Sequence, residues 1–345
     1  MRYCSTILLS IAAIVANINM AFALELPGYD RIQVEAQHRV RAMEAAIWYP
    51  ADRKGYKSLV GDSLVFKGTE VYQGPAVKAG SYPLVILSHG SGSNVDNMGW
   101  LAGSLAVKGS FVAGVNHPGS TTGDSSPRRS ANHWERAKDI SALIDSVLSD
   151  PVFGHLVDRS RISVIGFSLG GHTVMSVAGA RLSQDKYSDY CTKHDYQTAD
   201  CRFFNIAGVD FAKLPRQKFE QNLRDVRISR TVAIDPAFAY GMTKASLTKI
   251  SMPVQLINLG EQGKSRWFAV DMGPEGNDLA QSMPNVEYQQ ILDANHFTFL
   301  ALCKPMAPQL LIEEGEDPIC DDPKGADRAQ VHSQLISMIS EFLEL

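Results

Sequence analysis

Arg161-Ile162-Ser163-Val164-Ile165-Gly166-Phe167-Ser168-Leu169-Gly170-Gly171-His172 is the stretch whose reading decides the fold. Ile162, Val164 and Ile165 form a short β-branched apolar run, and an apolar segment at helical spacing follows from Thr173 to Ala180. Between them Gly166, Gly170 and Gly171 surround Ser168, so the order is strand, tight turn, helix. A serine at the apex of such a turn adopts a strained backbone that only small neighbours tolerate, and Gly166 and Gly170 supply them. The turn lifts the hydroxyl clear of the sheet. It also sets the hydroxyl beside the amino end of a helix, where unpaired N–H groups can hold a developing negative charge. The five-residue pattern alone arises by chance in roughly one chain in ten of this size. Its setting between a buried strand and a helix is what gives it weight.

Toward the amino end, the apolar run Leu84 to Leu87 leads into Ser88-His89-Gly90-Ser91-Gly92, a helix from about Asn97 to Val107, and a second buried strand, Phe111 to Val115. Arg31 to Glu35 and Met43 to Trp48 alternate as an antiparallel pair would, whereas Asp52 to Gly80 is polar and glycine-containing and reads as a surface connection. Asn116 to Asn132 carries turn chemistry. From Trp134 to Leu148, Ala137, Ile140, Leu143, Ile144, Val147 and Leu148 recur at helical spacing. Buried strands alternating with helices predict an α/β fold, a largely parallel, doubly wound sheet covered on both faces. The alternation stops between Arg181 and Arg230, which reads as an inserted cap or lid. It resumes with strands at Thr231 to Ile234, Val254 to Leu259 and Tyr288 to Leu292. A closing helix bears Val331, Leu335, Met338, Ile339 and Phe342 on one stripe. One domain with an insertion accounts for the whole pattern.

The 345 residues are 45% hydrophobic and 20% charged, enough for a large α/β core. A net charge of −4 without any basic run offers no footprint for nucleic acid. Arg2, the apolar run Ile7 to Val15 and Ala21-Phe22-Ala23 predict a cleavable signal peptide over Met1 to Ala23, leaving 24–345 as an exported domain, periplasmic or secreted. No later stretch is apolar enough to span a bilayer. The four cysteines beyond that segment, Cys191, Cys201, Cys303 and Cys320, allow three pairings in an oxidising compartment. Their spacing favours Cys191 with Cys201 and Cys303 with Cys320, each loop worth roughly 3 kcal/mol. A zinc site would need closer Cys or His spacings than the chain offers.

A serine hydroxyl attacks at neutral pH only if an oriented base takes its proton. His296, in a loop after the last predicted strand, is the expected base. Asp235, directly after the strand ending at Ile234, is the expected acid; Glu261, after the strand ending at Leu259, is the alternative, and Asp210 a more remote one. The oxyanion site needs two converging donors, expected from the backbone N–H of Leu169 and of Ser91. Read as a phosphate loop, His89-Gly90-Ser91-Gly92 lacks the Gly-Lys-Ser/Thr ending. His89, His117 and His172 lie near this site and read as structural hydrogen-bonding groups. No metal or organic cofactor is called for.

With these residues placed, the sequence resembles the α/β-hydrolase superfamily, and within it exported proteins of the predicted dienelactone hydrolase type, which are similar to the platelet-activating-factor acetylhydrolase group. The resemblance rests on Tyr82-Pro83-Leu84-Val85-Ile86-Leu87-Ser88-His89-Gly90, Asn116-His117-Pro118-Gly119-Ser120 and the Ser168 turn. It extends through Ile234-Asp235-Pro236-Ala237, Asn295-His296-Phe297 and Cys320-Asp321-Asp322-Pro323. Asp235 occupies the acetylhydrolase group's acid position and Glu261 that of dienelactone hydrolases, whose nucleophile is a cysteine where this chain has Ser168. The resemblance implies hydrolysis of a small-molecule ester or lipid through an acyl-serine intermediate. A thioester, lactone or peptide bond, or an inactive binding protein on the same fold, are the alternatives.

Overall fold

The computed structural model describes residues 25–260, 270–274 and 276–345. Ten strands build the main sheet: β1 (Gly28–Val34), β2 (Met43–Tyr49), β3 (Tyr56–Val60), β4 (Thr69–Gln73), β5 (Tyr82–Ser88), β6 (Phe111–Val115), β7 (Val157–Phe167), β8 (Ile228–Ile234), β9 (Val254–Leu259) and β10 (Val286–Ile291). Their order across the sheet is β10-β9-β8-β7-β5-β6-β2-β1-β4-β3. From β6 to β10 every pairing is parallel, while β1 and β2 pair antiparallel as the alternation predicts.

Period-two alternation sorts each central strand onto two layers. Leu84 and Ile86 of β5, Ile162 and Val164 of β7 and Ala233 of β8 face one core. That core includes the helices α2 (His133–Ser149) and α3 (Leu169–Ala178). Val85, Leu87, Ile165, Phe167, Val232 and Ile234 face the other, closed by α1 (Gly99–Val107) and the C-terminal helix Arg328–Leu343. Both faces are dry, so these strands read as nearly continuous apolar runs.

One expectation needs correction. Asp52 to Gly80 is not merely a connection, because it contributes β3 and β4 at the sheet edge, where β4 pairs parallel with β1. Few of their side chains are buried, so the apolar signal there is faint. The stretch expected as an inserted cap runs up to β8, which starts at Ile228. It holds the helices Gln184–Lys193 and Ala199–Asn205, joined by a Cys191–Cys201 disulfide whose two half-cystines are buried. Tyr187, Phe204, Phe211 and Phe219 of this segment pack around Phe238. The second disulfide joins Cys303 to Cys320.

Candidate active site

β7 ends at Phe167 and α3 begins at Leu169, leaving Ser168 as a one-residue elbow with φ 55° and ψ −118°. This is backbone that a side chain adopts only under constraint. The glycines explain how the turn closes. A Cβ on Gly166 would lie 2.1 Å from the carbonyl oxygen of Gly170, and one on Gly170 would lie 1.8 Å from that of Ser88.

Parallel pairing then brings the acid to the serine. Ile234 of β8 lies opposite Phe167 of β7, so the residues just beyond the two strands are Asp235 and Ser168. Asp235 is fully buried. Its Oδ1 accepts from Asn258 Nδ2 at 2.8 Å and from the Leu259 N–H at 3.0 Å, and its Oδ2 lies 2.9 Å from His296 Nδ1. The opposite ring nitrogen, Nε2, lies 3.2 Å from Ser168 Oγ. A carboxylate can only accept, so Nδ1 carries the proton and Nε2 turns its lone pair toward the serine. His296 opens a short turn, His296–Phe299, whose first N–H groups are capped by the Asn295 side chain, and its ring packs on Phe167 at 4.6 Å. Serine, imidazole and carboxylate thus stand in line at the carboxyl edge of the sheet.

Asp210 is elsewhere, capping a short turn and pairing with Lys213 at 3.1 Å. Glu261 lies outside the described residues. The N–H groups of Leu169 and Ser91 find no intramolecular acceptor among the described residues, and Gly90 is held against Ser168: a Cβ there would stand 3.4 Å from Ser168 Cβ.

Sequence reasoning passed over two layers of support. Asn258, on the buried strand β9, donates to both Asp235 and the Val270 carbonyl, and its Oδ1 accepts from the Met272 N–H and the Tyr288 hydroxyl. Burial, reinforced by the Asp271 and Asp235 carboxylates, pushes the Tyr288 phenol up to about 12, so it remains a donor. A buried polar residue near the end of a mostly apolar strand was the available signal. The second layer lies under the Ser88–Gly90 loop. Ser88 Oγ meets His117 Nε2 at 3.0 Å, His117 Nδ1 meets Asp139 Oδ2 at 2.8 Å, and Asp139 also binds His38 and Arg39. These contacts hold Asp139 far below the usual carboxylate range despite its burial. Arg136 completes this layer, and both Arg136 and Asp139 are buried on the side of α2 that the apolar spacing marks as inward.

No protein-family model matches this sequence, nor does any curated protein. Solved structures do. A ferulic acid esterase from Streptomyces cinnamoneus superposes with a TM-score of 0.61 at 16% identity, over 94% of this chain and 90% of its own. An acylaminoacyl peptidase from Pyrococcus horikoshii gives 0.47 at 10% identity, over 79% of this chain and 38% of its own. A dienelactone hydrolase from Anabaena variabilis gives 0.42 at 12% identity, over 84% and 95%. Of these three only the esterase superposes well enough to bear on architecture, and at that identity it bears on the fold alone. With its mostly parallel sheet and its serine elbow between β7 and α3, this chain has the α/β-hydrolase fold.

Proposed function

We propose that this protein is an exported serine hydrolase that cleaves small or lipid-type carboxylic esters through an acyl-serine intermediate. The observation that carries the reading is the unbroken line from Ser168 Oγ to His296 Nε2 at 3.2 Å and from His296 Nδ1 to Asp235 Oδ2 at 2.9 Å. Ser168 Oγ attacks the acyl carbon while His296 Nε2 takes its proton. The resulting oxyanion is held by the N–H groups of Leu169 and Ser91. Collapse breaks the ester C–O bond, and His296 gives the proton to the departing alcohol. Water, deprotonated by the same imidazole, then releases the acid and restores Ser168. Asp235 keeps Nδ1–H pointed away from the serine and stabilises the imidazolium.

The alternative of an inactive binding protein requires a base out of reach of the serine, and the 3.2 Å separation counts against it. Export is supported by the two disulfides, and among the described residues no helix is long and apolar enough to cross a membrane. The expected signal segment, Met1 to Ala23, lies outside the described residues.

A fluorophosphonate probe tests the assignment directly. Wild-type protein should label and Ser168→Ala should not; equal labelling of the two removes Ser168 from the reaction. Turnover of p-nitrophenyl esters of rising acyl length, compared with matching thioesters and lactones, then fixes the bond and the chain length.

A further inference from the structure

Arg136 is 2% exposed, and among the described residues no carboxylate pairs directly with it. Burying a cation this way costs several kcal/mol unless its surroundings compensate. Its surroundings are the elements that carry the two expected oxyanion donors. Nη2 donates to the carbonyl of His89 and, at 3.3 Å, to Ser88 Oγ. Nε donates to Thr173 Oγ1 at 3.0 Å, and that hydroxyl donates onward to the Leu169 carbonyl at 2.9 Å. Nη1 donates to Ser120 Oγ at 2.5 Å, and the Ser120 carbonyl accepts from the Gly92 N–H at 2.9 Å. One guanidinium therefore ties together the loop after β5, the first turns of α3 and the loop after β6.

The direction of these bonds matters. In a trans peptide the C=O and N–H point opposite ways. The His89 carbonyl is pulled toward Arg136, so the N–H of Gly90 is turned away from it. The Gly90 carbonyl is held at 2.7 Å by His89 Nδ1, which leaves the N–H of Ser91 facing the other way. His89 is itself fixed, because its Nε2 accepts from the His117 N–H at 3.1 Å. We propose that Arg136 is a positioning residue for the oxyanion site: it sets the spacing and orientation of the Gly90–Ser91 amides relative to the Leu169 amide on α3. This rests on the hydrolase reading above. A planar five-donor fork can span three elements where a lysine ammonium cannot, and at neutral pH it remains charged although burial lowers it to about 9.

The test is steady-state hydrolysis of p-nitrophenyl acetate by Arg136→Lys and Arg136→Met, with active sites counted by fluorophosphonate titration. Binding of a trifluoromethyl ketone, whose serine adduct places an oxyanion in the site, is measured alongside. The expected result is a fall in kcat of about 10²-fold with KM within a factor of about 3, part of the loss restored in Arg136→Lys, and ketone affinity falling in step with kcat/KM. Thr173→Val keeps the guanidinium and removes only its arm to α3; it should lower kcat about 5-fold at constant KM, and it decides the matter if the Arg136 variants do not fold. Folded variants with wild-type kcat per active site and wild-type ketone affinity overturn the proposal. A wild-type protein that neither labels nor turns over any ester overturns the hydrolase reading instead.

Discussion

Acidification from pH 6.5 toward 4 should unfold this protein by charging imidazoles that the fold holds neutral. His89, His117, His133 and His172 are almost completely buried, and His332 nearly so. Burial is the first cause in every case, lowering His117 and His133 to about 3 and His332 to about 4, with His89 and His172 also well below the ordinary value. The Arg136 charge adds to the effect at His89, His117 and His172. Unfolded imidazoles near 6.5 bind protons in this window that the folded ones refuse, so stability falls as pH falls. At pH 5, about 1.5 units below the unfolded value, His117 and His133 each remove about 2 kcal/mol at about 1.4 kcal/mol per unit. The pair removes about 4 kcal/mol and the other three act in the same direction, against a total stability on the order of 5–15 kcal/mol. Carboxylates lowered in the fold, such as Asp139 and Asp225, lose their contribution only below about pH 4, so the two effects separate. Urea unfolding at pH 7.5 and 5.0 reads the difference as a lower midpoint at unchanged slope. In His133→Gln the gap between the two pH values should narrow by about 2 kcal/mol. Equal midpoints at both pH values would refute the reasoning.

Two further outcomes follow from the site geometry. Asp235→Asn puts a donor where Nδ1–H needs an acceptor, so the imidazole turns its lone pair away from Ser168; kcat should fall about 10⁴-fold while circular dichroism stays unchanged, and a fall under tenfold would show that another acid serves. Gly170→Ala places a methyl 1.8 Å from the Ser88 carbonyl, a clash between two backbones that cannot both move, and should cost more than about 4 kcal/mol; a melting temperature within a few degrees of wild type would mean the elbow has slack.

How much of this was legible in the sequence depends on how each residue signals itself. β6 and β9 fall where their largely apolar runs place them, at Phe111–Val115 and Val254–Leu259, because strands buried on both faces leave strong apolar signatures even where, as in β9, polar residues intervene. β3 and β4 are edge strands with few buried side chains, so their sequence is hard to tell from a polar loop. The elbow announces itself through its glycines. The bases and acids of such a site come from strand ends, which is why Asp235 and His296 could be singled out without knowing what stood beside them. Arg136, Asp139 and Asn258 are different: nothing local distinguishes a charged or amide side chain with several internal partners from one in solvent. Their only mark is position, Arg136 and Asp139 being interspersed with the inward stripe of α2 and Asn258 sitting inside β9.

The order in which the parts of the site are fixed has a mechanical consequence. Ser168 and Asp235 both have positive φ, 55° and 43°, a strain of about 1–3 kcal/mol each. The two turns hold each other. The Ser168 N–H donates to the Ile234 carbonyl at 2.9 Å, the Ala237 N–H donates to the Ser168 carbonyl at 2.9 Å, and the Asp235 N–H donates to the Ile257 carbonyl at 3.0 Å. Gly171 lets α3 approach the acid's turn so closely that a Cβ there would lie 2.8 Å from Pro236 Cα. Ser168 and Asp235 are therefore tied to each other and to the pairing of β7, β8 and β9. His296 arrives on a separate segment, braced by the C-terminal part of the chain: Thr298 Oγ1 donates to Asp322 at 2.8 Å, and Arg328 binds Asp322 and the carbonyls of Ala301 and Ile319, on either side of the Cys303–Cys320 disulfide. In the proposed reaction the imidazole, held by this separate brace, is the member that exchanges protons with two different oxygens in each turnover.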